Sequence, residues 1–204
     1  MNEQTKYRTI TREQFLFHEM RIVAKLLAEE KTDEQVKQEV IENNLFQYPT
    51  EKMLGNICTV CLARFNAVDN KNEFVNIVSS SNSDVAKQAC LFLMMNYYRL
   101  VWDFMITVIG EKYRVKDMTF TKVDMNSFFT RLEEQNDTVA SWSDLTITKC
   151  KQVLKKTLVE VGYLDNTRSE VLNMIILDLS LKEAITRSRN TKALVAFGCL
   201  KESL

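Results

Sequence analysis

"ACLFLMMNYYRLVWDFMITVIG", residues 89–110, is the stretch whose reading decides the fold. A run of about 20 apolar residues is long enough to cross a bilayer as a helix, and this one comes close. Asn96, Arg99, Asp103 and Thr107 interrupt it at spacings that place all four in one helical stripe. A charge at bilayer mid-depth costs at least about 2.5–3.5 kcal/mol. Arg99 and Asp103, by contrast, can pair across one turn of a helix. The stretch therefore reads as the centre of a long helix, about 84–113, in an all-α multi-helix bundle with no membrane partner.

Working outward, only four glycines and one proline punctuate 204 residues. That is too few turn residues for a β-sandwich or barrel, and it favours long helices. Thr11 with Gln14 forms a capping-box signature ahead of a first helix over about 12–30. Thr32 with Gln35 repeats the signal for a second, and Pro49-Thr50-Glu51 opens a third that runs to about Asn66. The second and third helices, joined by a short connector, have the outline of a helix-turn-helix. The third carries only Lys52 and Arg64 as cations, so Lys52 is its candidate DNA contact. Gly55, Thr59 and Ala63, four residues apart, suit close helix packing better than base reading. A short helix around 73–78 follows, and SSSNSD then marks a boundary capped by Ser83 or Asp84. Residues 115–123 permit a short strand or an extended linker, Asp124 caps a helix through Leu132, and 180–204 reads as one or two short helices. A division follows: an N-terminal helical part, 1–120, and a C-terminal winged-helix-like part, 121–204.

The C-terminal part carries the charge. Residues 1–145 hold 17 Lys and Arg against 21 Asp and Glu, whereas 146–204 hold 10 against 6, so a net charge of zero hides a basic C-terminal segment. Within it, TITKCKQVLKKTLVEVGYLDN (146–166) reads as a helix over about 146–161, stopped by Gly162. Ile147, Cys150, Leu154, Leu158 and Val161 form its core stripe. Lys149 and Lys156 lie on the far side, Lys151 and Lys155 on one flank, and Arg168 follows in the next turn. Lysines so placed neutralise phosphates and release counterions, which positions a protein on duplex DNA without reading its sequence. Thr146, Thr148 and Gln152 are the candidates for touching bases. EVLNMIILDL (170–179) fits either a strand or an apolar helix. As a strand it could pair with Tyr163–Leu164 as the short β-hairpin wing of a second helix-turn-helix-like unit.

Enzymatic chemistry finds little to work with. The glycines are isolated, so no loop cradles a phosphate, and GxSxG, HExxH and a histidine triad are missing. The single histidine, His18, reads as a core-edge residue. The five cysteines suggest reduced thiols and a cytoplasmic location, because the polar N-terminal stretch lacks a secretory signal. Cys58-Thr-Val-Cys61 has no second pair, and its helix places both thiols on a broad apolar face as core residues. No catalytic residue, metal site, cofactor or small-molecule substrate is expected.

Several blocks in order resemble the BrxA family, a small core component of bacteriophage-exclusion (BREX) defence systems. They are FLFHEMRIVAKLLAEEKT, VIENNLFQYPTEKMLGNICTVCLARF, FLMMNYYRLVWDFMITVIGEKY, DMNSFFTRLEEQ and TITKCKQVLKKTLVEVGYLDN, together spanning about 10–166. The resemblance implies an all-α protein with two helix-turn-helix-like units that binds DNA beside the other BREX components. Family members also carry an inner-membrane label, which the polar stripe argues against. Two departures stand out. Ile10-Thr11-Arg12-Glu13 replaces an often glycine-containing lead into the first helix, and the first unit's reading helix is nearly neutral. The rival reading is an assembly subunit without DNA contact, docking other BREX components through its acidic N-terminal part.

Overall fold

The computed structural model describes residues 6–199, and among them eleven α-helices follow one another. The first half holds α1 (Phe17–Ala28), α2 (Asp33–Glu42), α3 (Glu51–Phe65), α4 (Lys71–Ser80) and α5 (Ser83–Tyr97). Next come α6 (Arg99–Phe104), a π-helical turn (Met105–Gly110), α7 (Glu111–Val115), α8 (Lys122–Gln135) and α9 (Asp137–Ala140). The chain closes with α10 (Asp144–Val161), α11 (Leu179–Arg187) and a 3₁₀ helix (Thr191–Phe197). Buried side chains from Tyr7 to Phe197 form one hydrophobic cluster. The fold is all-α.

Local capping chemistry sets most helix starts. Thr32 and Gln35 exchange hydrogen bonds as a capping box for α2. Thr50 caps α3 through the Met53 N–H, and Asn82, one residue before the expected Ser83, caps α5 through the Val85 N–H. Thr121 rather than Asp124 is the cap of α8. Asp124 closes its capping box as the third helical residue, taking the Thr121 N–H at 2.6 Å. At Gly55 an added Cβ would lie 3.5 Å from Ile41 Cδ1, so α2 seats closely on α3 there, whereas Thr59, the next small residue of that spacing, is exposed.

Three expectations are corrected. The first helix starts at Phe17, not near residue 12, because the Arg64 guanidinium takes the backbone carbonyls ahead of it. Nη1 donates to Phe15 O at 2.7 Å, and Nη2 donates to Gln14 O at 2.6 Å and Glu13 O at 3.1 Å. Carbonyls engaged this way cannot start a helical ladder, and Leu16 turns left-handed at φ 59° to lead into α1.

The long central helix is broken at Tyr98, which is extended at φ −114°, ψ 111°. Its hydroxyl donates to the Glu13 carboxylate and its ring lies 5.5 Å from the Arg64 guanidinium carbon, so the break serves the same buried cluster. Arg99 and Asp103 do pair, Nε to Oδ2 at 3.3 Å, and Tyr7 donates to the same oxygen at 2.5 Å. Among the described residues no helix is long and apolar enough to cross a membrane.

The β-hairpin wing is replaced by an extended segment. Residues 170–178 are neither helix nor ladder, and their only β-bridge joins Val171 to Thr119. The Phe120 N–H donates to Glu170 O at 2.8 Å and the Leu172 N–H to Met118 O at 2.7 Å. Residues 118–120, the other stretch with strand character, thus take the partner role expected of Tyr163–Leu164. Tyr163 and Leu164 are buried instead, and the Tyr163 hydroxyl donates to Ala196 O at 2.8 Å.

Candidate nucleic-acid interface

Helix α10 is held from both ends and along one side. Ser143 caps it through the Thr146 N–H, and Gly162, left-handed at φ 94°, ends it. The expected stripe of Ile147, Cys150, Leu154, Leu158 and Val161 is buried, and Val153 and Thr157 widen it. With that side committed to the core, the opposite side faces solvent. Thr148, Lys149, Gln152 and Lys156 are exposed there, and Lys155 is half-buried at the flank. Lys149, Lys155 and Lys156 have no hydrogen-bond or ion-pair partner among the described residues.

Not every candidate stands free. Lys151 is turned onto α8, where its Nζ donates to Asn126 Oδ1 at 2.9 Å and lies 5.3 Å from the centre of the Phe129 ring. Thr146 is half-buried, its hydroxyl 3.0 Å from the capping Ser143 hydroxyl. Arg168 is exposed in the loop after α10, which the Asn173 amide ties down through Gly162 O and Asp165 Oδ1. Lys52 is exposed in the first turn of α3, but Arg64 is wholly buried, so α3 offers solvent a single cation.

A groove of about 770 Å³ lies between α3, α10 and residues 12–19. Met53 and Ile57 of α3 line it together with Val153, Lys156 and Thr157 of α10. Residues 12–19 and Tyr48 complete the lining, and Thr167, the neighbour of Arg168, reaches it from the loop. The Tyr48 hydroxyl donates to Glu19 at 2.6 Å, and burial together with that carboxylate raises its pKa. His18, expected at the core edge, is exposed on the groove, which Arg12 also lines. Neither residue carries a local sequence signal for this role, because Lys156 joins them only through the fold.

The thiols are core groups. Cys58, Cys61, Cys90 and Cys150 are buried and unbridged, and burial pushes the Cys58 thiol up to about 11. Among the described residues no group of three or more His, Cys, Asp or Glu could hold a metal ion.

The BrxA family model matches residues 5–189. The chain belongs to the BrxA family. It is 33% identical over 168 residues to the BREX protein BrxA of Bacillus cereus (strain H3081.97), covering 82% of this chain and 83% of that one. It is 25% identical over 160 residues to the BREX protein BrxA of Escherichia coli O9:H4 (strain HS), covering 78% and 74%. The fold is shared with a crystal structure of an uncharacterized protein from Magnetospirillum magneticum, with a TM-score of 0.79 at 19% identity over 94% of this chain and 97% of that one. BrxA membership places the chain in BREX anti-phage systems.

Proposed function

We propose that this BrxA-family chain is a non-enzymatic component that binds duplex DNA mainly through backbone phosphates, using the outer side of α10. One observation carries the reading: Lys149, Lys155 and Lys156 are unpartnered cations on a helix whose opposite side is fully packed. Cations already paired would contribute little, since only those that replace condensed counterions produce salt-dependent affinity. Thr148 and Gln152 stand among the lysines as the side chains able to touch base edges. Titration of duplex DNA at several salt concentrations tests this. Changing Lys149, Lys155 and Lys156 to Glu should weaken binding to all sequences alike and lower the salt slope by about 1 per lost contact. Lys151→Glu should matter less. Absence of binding at low salt, or an unchanged slope in the triple variant, would refute the reading.

A second reading, docking to other BREX components, has its own support. Val171, Met174, Ile176 and Leu179 are 63–87% exposed along and just beyond the extended segment. Apolar side chains displayed on an extended segment that belongs to no sheet suit docking of a protein partner by strand addition. The two readings use different surfaces and are compatible.

A further inference from the structure

The groove between α3, α10 and residues 12–19 combines Lys156, which the duplex reading shares, with side chains that duplex binding does not use. Arg12 and His18 come from the N-terminal side and Lys156 from α10. None of the three has a hydrogen-bond or ion-pair partner among the described residues. The two carboxylates in the lining are both engaged: Glu19 accepts from Tyr48, and Glu160 lies 3.8 Å from the Lys87 ammonium. Glu19 keeps its charge, because Tyr48 donates from a neutral hydroxyl, so with Glu160 offset by Lys87 the balance is Arg12 and Lys156 against Glu19, still positive. Thr157 lies in the same wall, 2% exposed, with a buried hydroxyl that has no hydrogen-bond partner. Buried hydroxyls are rarely left in that state, and a rotamer change would offer this one to a ligand. Tyr48, Ile57 and Met53 supply apolar surface, and Met53 is 45% exposed.

The size is informative. A volume of about 770 Å³ lies within the range of single-ligand sites, roughly 300–1,000 Å³. A double helix, whose own major groove admits an α-helix, is too wide to enter. We propose that this groove binds a nucleoside phosphate, with the phosphate held by Arg12, His18 and Lys156 and the base and sugar set against Tyr48, Met53 and Ile57. An arginine fork and an ammonium lining one groove supply donors of the kind that phosphate oxygens favour. The same chemistry is offered by a free nucleotide and by an unpaired nucleotide of a strand. The proposal shares Lys156 with the duplex reading but is separable from it, since Arg12 lies off α10 and Lys149 does not line the groove.

Calorimetric titration of the full chain at about 50 mM salt with adenosine monophosphate and with a single-stranded oligoadenylate tests it. Adenosine, inorganic phosphate and a glutamate-rich peptide are the comparison ligands. Saturable binding of one of the first two is expected, at least tenfold weaker in Arg12→Glu and in Lys156→Gln and unchanged in Lys149→Glu. Binding of the mononucleotide assigns the free ligand, and binding of the oligonucleotide alone assigns an unpaired strand end. Arg12 is exposed and unpartnered, so its variant should keep the wild-type melting temperature. Lys156→Gln gives a second reading without charge reversal. The proposal is overturned if neither nucleotide ligand saturates, if Arg12→Glu has no effect, or if phosphate or the acidic peptide binds as tightly. Nucleotide binding that persists while duplex binding is absent would overturn the duplex reading alone.

Discussion

Replacing Arg64 tests the reasoning about how the N-terminal segment is held. Its guanidinium is fully buried and donates three hydrogen bonds, at 2.6, 2.7 and 3.1 Å, to the carbonyls of residues 13–15. Hydrogen bonds to a charged donor contribute about 1.5–3 kcal/mol each. Their sum is an upper bound, because burial opposes the charged form and lowers the pKa of Arg64. The Glu13 and Gln14 carbonyls sit on part-exposed residues that water can rehydrate, whereas that of Phe15 is left dry. Removing one partner of a buried charged network costs about 3–5 kcal/mol, and Arg64→Ala should fall in that range. For a chain of this size that is a drop in melting temperature of about 6–20 °C. Arg64→Lys should recover little, since one ammonium cannot reproduce the planar fork over separate carbonyls. Thermal and urea melts give the stability, and hydrogen exchange of amides 8–16 gives the local effect. Both variants within about 1 kcal/mol of wild type, or unchanged protection of those amides, would refute the account.

Two further outcomes follow from other sites. Burial raises the Asp124 pKa, but the Thr121 N–H and the Lys112 ammonium 2.9 Å away more than reverse this and hold it below the usual carboxylate range. A lowered folded-state pKa stabilises above the unfolded value and is lost as pH falls through the folded one. Asp124→Asn should therefore cost about 1 kcal/mol at neutral pH, and its deficit should shrink in melts below about pH 3.9; a deficit constant with pH would be inconsistent. Met174→Lys with Ile176→Lys, at side chains 66% and 87% exposed, should leave the melting temperature nearly unchanged and abolish co-purification with co-expressed BREX proteins. Retained co-purification would count against strand addition there.

What could be read from the sequence was local. The capping box of Thr32 and Gln35, the Gly162 stop and the buried stripe of α10 depend on residues within one or two turns, and each is in place. Where the structure departs, the cause lies far along the chain. Arg64 sets the start of α1 from 49–51 residues away, and Tyr98 leaves the helical path beside a carboxylate 85 residues distant. Lys151 looks like its neighbours in sequence, yet Asn126, 25 residues earlier, diverts it. Strand character was visible in both 115–123 and 170–179, but their mutual pairing was not, because alternation identifies a strand without naming its partner. The groove follows the same pattern, since Arg12, His18 and Lys156 meet only through tertiary packing.

The clasp around residues 7–16 also bears on the order of events during synthesis. Tyr7 waits for Asp103, 96 residues later, and Glu13 waits for Tyr98. At about 5–20 residues per second, a ribosome needs on the order of 5–20 s to supply the missing half of that clasp. Throughout that interval Ile10 and Phe15, both buried in the finished fold, have no completed site to occupy. The segment that leads the helical array is thus fully secured only once half of the chain has been made.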